Sequence, residues 1–184
     1  MRLIDANDLL NASWGLDRFR GSLVSKLVMY LLRLNKLDKL STKVDCNDPE
    51  QVIDSLMEAL GVTVEIKEED LEKIPKKGAF ITVSNHPFGG LDGIILIKIL
   101  CKIRPDYKVM ANFLLKKIIP IQDYVLGLEP SSRRRNTNTR VIKEAVRHVV
   151  EGKPLGIFPA GEASSYQADS NHVEDKEWDT SVLK

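Results

Sequence analysis

The sequence predicts an α/β fold: a mostly parallel sheet flanked by helices and preceded by an amino-terminal helical segment. Two observations carry this expectation. Short apolar runs bounded by turn residues alternate with segments whose apolar residues recur at helical spacing, the order that builds parallel sheets. With 184 residues and 43% hydrophobic content, the chain can also bury one sizeable core.

The elements follow in order. In residues 23–40, Leu23, Val24, Leu27, Val28, Leu31, Leu32, Leu34 and Leu37 fall at helical spacing among Lys26, Arg33, Lys36 and Lys39. This is either an amphipathic helix packed on the core or one that lies in a membrane interface. Asp48-Pro49-Glu50-Gln51 supplies a cap, a first-turn proline and a capping-box glutamine, so a helix should run over 49–60 and stop at Gly61. Residues 62–66 alternate as a short strand, and 67–77 form a charged connector with a short helix and a turn.

Phe80, Ile81 and Val83 make residues 78–83 a buried strand, and the nearly continuous apolar run over 91–103 is long enough for a buried helix. A strand over 107–111, a helix over 112–118 and a strand over 124–128 are expected next. Val141, Ala145 and Val149 mark an amphipathic helix over 136–151 that stops at Gly152. His148 lies one heptad from Val141 and reads as an edge-of-core histidine. Residues 154–158 form the next buried strand, and 175–184 read as the beginning of another helix.

A net charge of +1 gives no global field toward nucleic acid or membrane. Cys46 and Cys101 have no metal-ligand spacing, and Cys101 reads as a small core residue in a reducing, cytosolic compartment. No metal or cofactor is expected. No stretch reaches the roughly 18 uninterrupted apolar residues of a membrane span.

The chemistry concentrates in three segments. In Ser84-Asn85-His86-Pro87-Phe88-Gly89-Gly90-Leu91-Asp92, His86 stands at a strand's carboxyl end and Asp92 at a helix start, where open α/β sheets place ligands. Residues 125–135 include Gly127 and the cluster Arg133, Arg134, Arg135, with Arg140 beyond it. The third is Gly156-Ile157-Phe158-Pro159-Ala160-Gly161-Glu162-Ala163-Ser164. Together they resemble the three signatures of the glycerophosphate and lysophospholipid acyltransferase family. The first has five residues between histidine and aspartate where the family has four, and the paired glycines can absorb the extra one. The second aligns loosely. The third keeps Phe158, Pro159, Gly161 and Ser164, while Ala160, Glu162 and Ala163 depart from the family pattern.

The resemblance implies a soluble or peripheral acyltransferase that moves a fatty acyl chain from an acyl-coenzyme A or acyl carrier protein thioester to a lyso-lipid. It would work in the cytoplasm at the inner face of the membrane. It also implies that residues 1–60 form a helical segment able to meet the bilayer, and that 61–184 form the acyltransferase domain. The family continues into a further strand and helices, so the carboxyl-terminal part of the fold is expected to be missing.

His86 would be the general base, a task that suits an unperturbed imidazole with a pKa of ~6.5. Asp92 would hold its tautomer and stabilise the imidazolium. Asn85, Gly89, Gly90, Arg133, Arg135, Phe158, Pro159, Gly161 and Glu162 are the expected substrate-binding residues. Backbone N–H groups around Gly89 and Gly90, or around Gly161, would stabilise the oxyanion. Arg133 and Arg135 suit phosphate groups, a solvated loop being the alternative. Replacing the family's glutamate and arginine with Ala160 and Ala163, and its threonine with Glu162, suits a cationic or hydroxyl-bearing acceptor, such as an amino-acid lyso-lipid, better than a phosphate.

No nucleophile elbow is present, so transfer would be direct. Two alternatives stay open: a hydrolase that uses His86 and Asp92 to activate water, and a non-catalytic lipid-binding module. Nucleic acid is not an expected partner, since aromatic interleaving and a basic field are both lacking.

Overall fold

The computed structural model describes residues 48–129, 135–167 and 172–179. The expected helix over 23–40 and Cys46 lie outside the described residues. The first described element is helix α1, Pro49–Leu60. Asp48 caps it by accepting from the Glu50 N–H at 2.9 Å and the Gln51 side-chain amide at 2.7 Å, so Gln51 meets the cap's carboxylate and not its backbone. Gly61, at φ 68°, ends the helix in the left-handed region that glycine enters without strain.

Helix α2 (Glu68–Glu72), strand β1 (Ile81–Val83) and helix α3 (Gly90–Leu100) follow. Next come β2 (Lys108–Asn112), two 3₁₀ turns (Leu115–Lys117 and Ile119–Tyr124), β3 (Val125–Leu128), helix α4 (Arg135–Val150) and β4 (Leu155–Ile157). A two-stranded antiparallel hairpin, β5 (Ser165–Gln167) and β6 (His172–Glu174), closes the described chain. The main sheet has the order β1-β4-β2-β3, with every neighbouring pair parallel. The α/β fold expected from the alternation is therefore the one observed.

Successive strand residues point to opposite faces, and this divides the core in two. Val109, Ala111 and Val125 face a cluster with Ile53 and Met57 of α1 and Ile94 and Ile97 of α3. On the other face, Leu126, Leu155 and Ile157 pack with Met110 and with Val141, Ala145 and Val149 of α4. His148 of α4 is buried, its Nε2 3.1 Å from the Pro154 carbonyl, as an edge-of-core histidine should be.

Arg104 fastens the opposite end of the sheet from His86. It is 5% exposed, pairs with Asp106 through Nε at 2.9 Å and Nη2 at 2.8 Å, and donates to the Gly78 carbonyl at 2.7 Å. A buried charge is tolerated because its donors are used.

Four local expectations are corrected. The strand over 78–83 is not a buried one: among the described strands β1 lies at the edge of the sheet, and its Ile81 and Val83 are exposed. Residues 62–66 form no strand: Val62 and Val64 pack against the core from an extended segment, so their alternation serves packing and not a ladder. The helix over 112–118 is replaced by the end of β2 and the 3₁₀ turns. Asn112 Oδ1 accepts from the Leu114 N–H at 3.0 Å, which starts a turn, and Pro120 lacks the N–H that a longer helix would need. Leu115, Ile118 and Ile121 are buried at a spacing of three, the period of a 3₁₀ helix, so they are core residues and not a lipid-facing surface. Residues 175–179 are not helical, because this stretch is hydrogen-bonded as an extended strap. Residues 180–184 lie outside the described chain.

Candidate active site

The carboxyl ends of β1 and β4, which are paired neighbours, bring the first and third sequence motifs together. The chain leaves β1 through Ser84 and Asn85, turns over Pro87–Gly89 and enters α3 at Gly90. Gly89 adopts φ 64° and ψ −129°, a conformation closed to most side chains, and it lets the loop double back within five residues of His86. Of the paired glycines, Gly89 is the one whose backbone freedom this turn uses, while Gly90 is already helical.

His86 Nδ1 lies 3.0 Å from Asp92 Oδ2, with both side chains largely shielded at 16% and 12% exposure. The separation is that of a hydrogen bond, but the ring N–H is not aimed at the oxygen, so Nδ1 is buried against the carboxylate without a directed bond. Catalytic hydrogen bonds in ligand-free sites are often misaligned in this way and tighten when substrate binds. Asp92 Oδ2 also accepts from the Phe88 N–H at 2.9 Å, which ties the carboxylate to the loop that carries the histidine.

Phe158 leaves β4 and stacks on the imidazole, with ring centroids 4.1 Å apart and planes inclined by 25°. The Ser164 N–H donates to the His86 carbonyl at 2.9 Å, so the third motif holds both the ring and the backbone of the histidine. Pro159 is buried beside Phe158. Gly161, at φ 67°, spends its N–H on the Phe158 carbonyl at 2.9 Å, and Glu162 is exposed.

The remaining expected residues divide in two. Gly90 opens α3, where the first-turn N–H groups have no partner within the helix. Asn85 is exposed and donates to Asp175 at 2.6 Å. Arg133 lies outside the described residues, Arg135 is the first residue of α4 with its side chain outside them, and Arg140 is exposed on the same helix.

Asp175 is the site residue that sequence patterns miss. One of its oxygens accepts from Asn85 and the other from Ser164 Oγ at 2.5 Å. It stands in the run Glu174-Asp175-Lys176-Glu177, at the start of the expected helix, and no local signal marks it.

A cleft of about 390 Å³ opens at the amino end of β2 among Asp106, Lys108, Glu144, Arg147, His148 and Lys153. It is remote from the His86 and Asp92 pair. Among the described residues, no group of three or more His, Cys, Asp or Glu side chains is placed to hold a metal ion. No described helix is long and apolar enough to cross a membrane.

The chain is 29% identical over 159 residues to a lyso-glycine lipid O-acyltransferase of Bacteroides thetaiotaomicron, an alignment covering 83% of this chain and 55% of that protein. It is 28% identical over 159 residues to the lyso-glycine lipid O-acyltransferase of Phocaeicola vulgatus, covering 83% and 53%. The chain spans about half the length of these curated relatives. Residues 25–184 match a family described as acyltransferase. On the strength of that match across most of its length, the chain belongs to this acyltransferase family.

Proposed function

We propose that the protein transfers a fatty acyl chain from a coenzyme A or acyl carrier protein thioester to the hydroxyl of a lyso-lipid with an amino-acid head group. The observation that carries this reading is the His86 and Asp92 pair, 3.0 Å apart and roofed by Phe158, at the carboxyl ends of two neighbouring parallel strands.

With Nδ1 turned to Asp92, Nε2 is the nitrogen free to take a proton. As the acceptor oxygen attacks the thioester carbonyl, His86 Nε2 removes the hydroxyl proton and Asp92 stabilises the imidazolium. The tetrahedral oxyanion is best served by the N–H groups of Gly90 and Leu91 in the first turn of α3. Those groups have no intrahelical partner, whereas Gly161 already donates to Phe158. Collapse of the intermediate breaks the carbon–sulfur bond, forms the ester, and returns the proton from His86 to the thiolate.

The acceptor assignment rests on the relatives, named for lyso-glycine lipid, and on the third motif, where alanines stand at two head-group positions and Glu162 offers a carboxylate. Phe88 is 70% exposed beside the site, and Val173 and Trp178 are exposed on the adjoining strap. Such an apolar rim suits work at the inner face of a membrane, where tryptophan is favoured at the interface.

The test is to incubate the full-length protein with acyl-coenzyme A or acyl carrier protein donors and a panel of hydroxyl-bearing and amine-bearing lyso-lipids, reading products by mass spectrometry. An ester on an amino-acid lyso-lipid is expected. Free fatty acid without acylated product would replace this reading with the hydrolase, and lipid binding without turnover would replace it with the binding module.

A further inference from the structure

Three separate hydrogen bonds join the strap 172–179 to the first and third motifs. Asp175 Oδ2 accepts from Asn85 Nδ2 at 2.6 Å, and Asp175 Oδ1 accepts from Ser164 Oγ at 2.5 Å. Four residues on, the Asp179 N–H donates to the Pro159 carbonyl at 3.0 Å. Asn85 adjoins His86, Ser164 holds the His86 carbonyl, and Pro159 adjoins the Phe158 ring stacked on the imidazole. Asn85, Ser164 and Phe158, the neighbours of His86 in these two motifs, are therefore tied to this strap directly or through one residue.

From this geometry we infer that Asp175 is a positioning residue for the acyl transfer, setting the orientation of His86 by clamping Asn85 of the first motif to Ser164 of the third. The inference rests on His86 being the base. The chemistry of the three groups fits the role. A carboxylate accepts from two donors at once through its two oxygens, while an amide and a hydroxyl each have a hydrogen to give. Charge-assisted bonds of this kind are shorter and stronger than neutral ones. Asp175 touches neither the imidazole nor Asp92, so it acts on the reaction only by holding the loop.

The experiment measures kcat and KM for both substrates in full-length Asp175→Ala, Asn85→Ala, the double variant and Asp175→Asn, alongside melting temperature. A small misplacement of a catalytic group costs on the order of tenfold to a hundredfold in rate, and a loss within that range is expected in kcat of Asp175→Ala, with both KM values and the melting temperature little changed. The double variant should fall no further than Asp175→Ala, because both changes break one bridge. Asp175→Asn should recover much of the rate, since its amide oxygen still accepts from Asn85 and its NH₂ donates to Ser164 Oγ.

Full kcat in Asp175→Ala, in a background where His86→Ala has lost activity, would overturn the inference and leave the base assignment standing. So would losses that multiply in the double variant, or a loss confined to KM. If Asp175→Ala fails to fold, Asn85→Ala breaks the same bridge from its other end, and an unchanged kcat there overturns the inference equally. An active His86→Ala would instead remove the base assignment itself.

Discussion

The His86 imidazole and the Phe158 ring stack with centroids 4.1 Å apart, joining the loop after β1 to the end of β4. The contact is one of the physical links between the first and third motifs: one motif supplies the proposed base, and the other covers its ring. Strand register makes it possible, since Val83 lies beside Ile157 in the parallel pair, so both chains leave the sheet at the same level.

Removing the ring should therefore affect activity more than stability. Aromatic pairs contribute about 0.5–1.5 kcal/mol beyond the area they bury. Phe158→Leu, which keeps an apolar side chain but not the face, is expected to lower the melting temperature slightly and kcat several-fold. Phe158→Tyr should keep both. Steady-state kinetics beside calorimetry checks this, and equal activity in Phe158→Leu and the parent would show that the stack has no part in catalysis.

Asp92 touches two things, the His86 ring and the Phe88 N–H. Asp92→Asn can keep the loop bond through its amide oxygen but cannot offset the imidazolium charge. The expected result is a folded protein with activity reduced by on the order of a hundredfold or more. Circular dichroism and the ester-forming assay, run together, would separate this from a loss of fold; retained activity would remove Asp92 from the mechanism.

Gly156 lies in β4 where a Cβ would stand 2.0 Å from the buried Tyr107 hydroxyl and 2.9 Å from its Cζ. That hydroxyl is hydrogen-bonded to Thr82 Oγ1 at 2.8 Å and cannot simply move away. Gly156→Ala should destabilise the fold by about 1–3 kcal/mol or more. Adding Tyr107→Phe should recover part of the loss by removing the nearest atom. Denaturant unfolding of the two variants measures it, and a fully stable Gly156→Ala would contradict the packing described.

His148 has its pKa held below the ordinary histidine range, chiefly by burial; its backbone bonds to Pro154 and Asp106 act the other way, Lys108 and Lys153 add repulsion, and the net direction is down. The unfolded chain, with an ordinary imidazole near pKa ~6.5, then binds a proton more readily than the folded one. Stability from this group is complete above that value and falls as pH drops through it toward the folded pKa. Between pH 7.5 and 5.5 the parent should lose more melting temperature than His148→Gln, whose amide can still donate to Pro154. Equal losses in the two proteins would show that His148 does not titrate in this way.

What was legible in the sequence was local. Asp48, Pro49 and Gly61 mark the ends of α1 because caps and stops act within one turn. His86 and Asp92 could be paired on paper because the loop between them is short. Asn112 and Pro120 replace a helix with 3₁₀ turns, although the apolar residues between them fit either form. The bridge from Asp175 to Asn85 and Ser164 had no local trace, since it joins segments far apart in the chain and an acidic residue in a charged run looks solvated. The strap's hydrogen bonds depend on the sheet having already brought β1 and β4 together.

The proposed role of His86 as the base for ester formation is tested by the rate of ester product in full-length His86→Ala beside the parent, with the same thioester donor and lyso-lipid. Loss of a general base predicts a fall of about 10²–10⁴-fold with fold and lipid binding retained. Ester formation at the parental rate would contradict it.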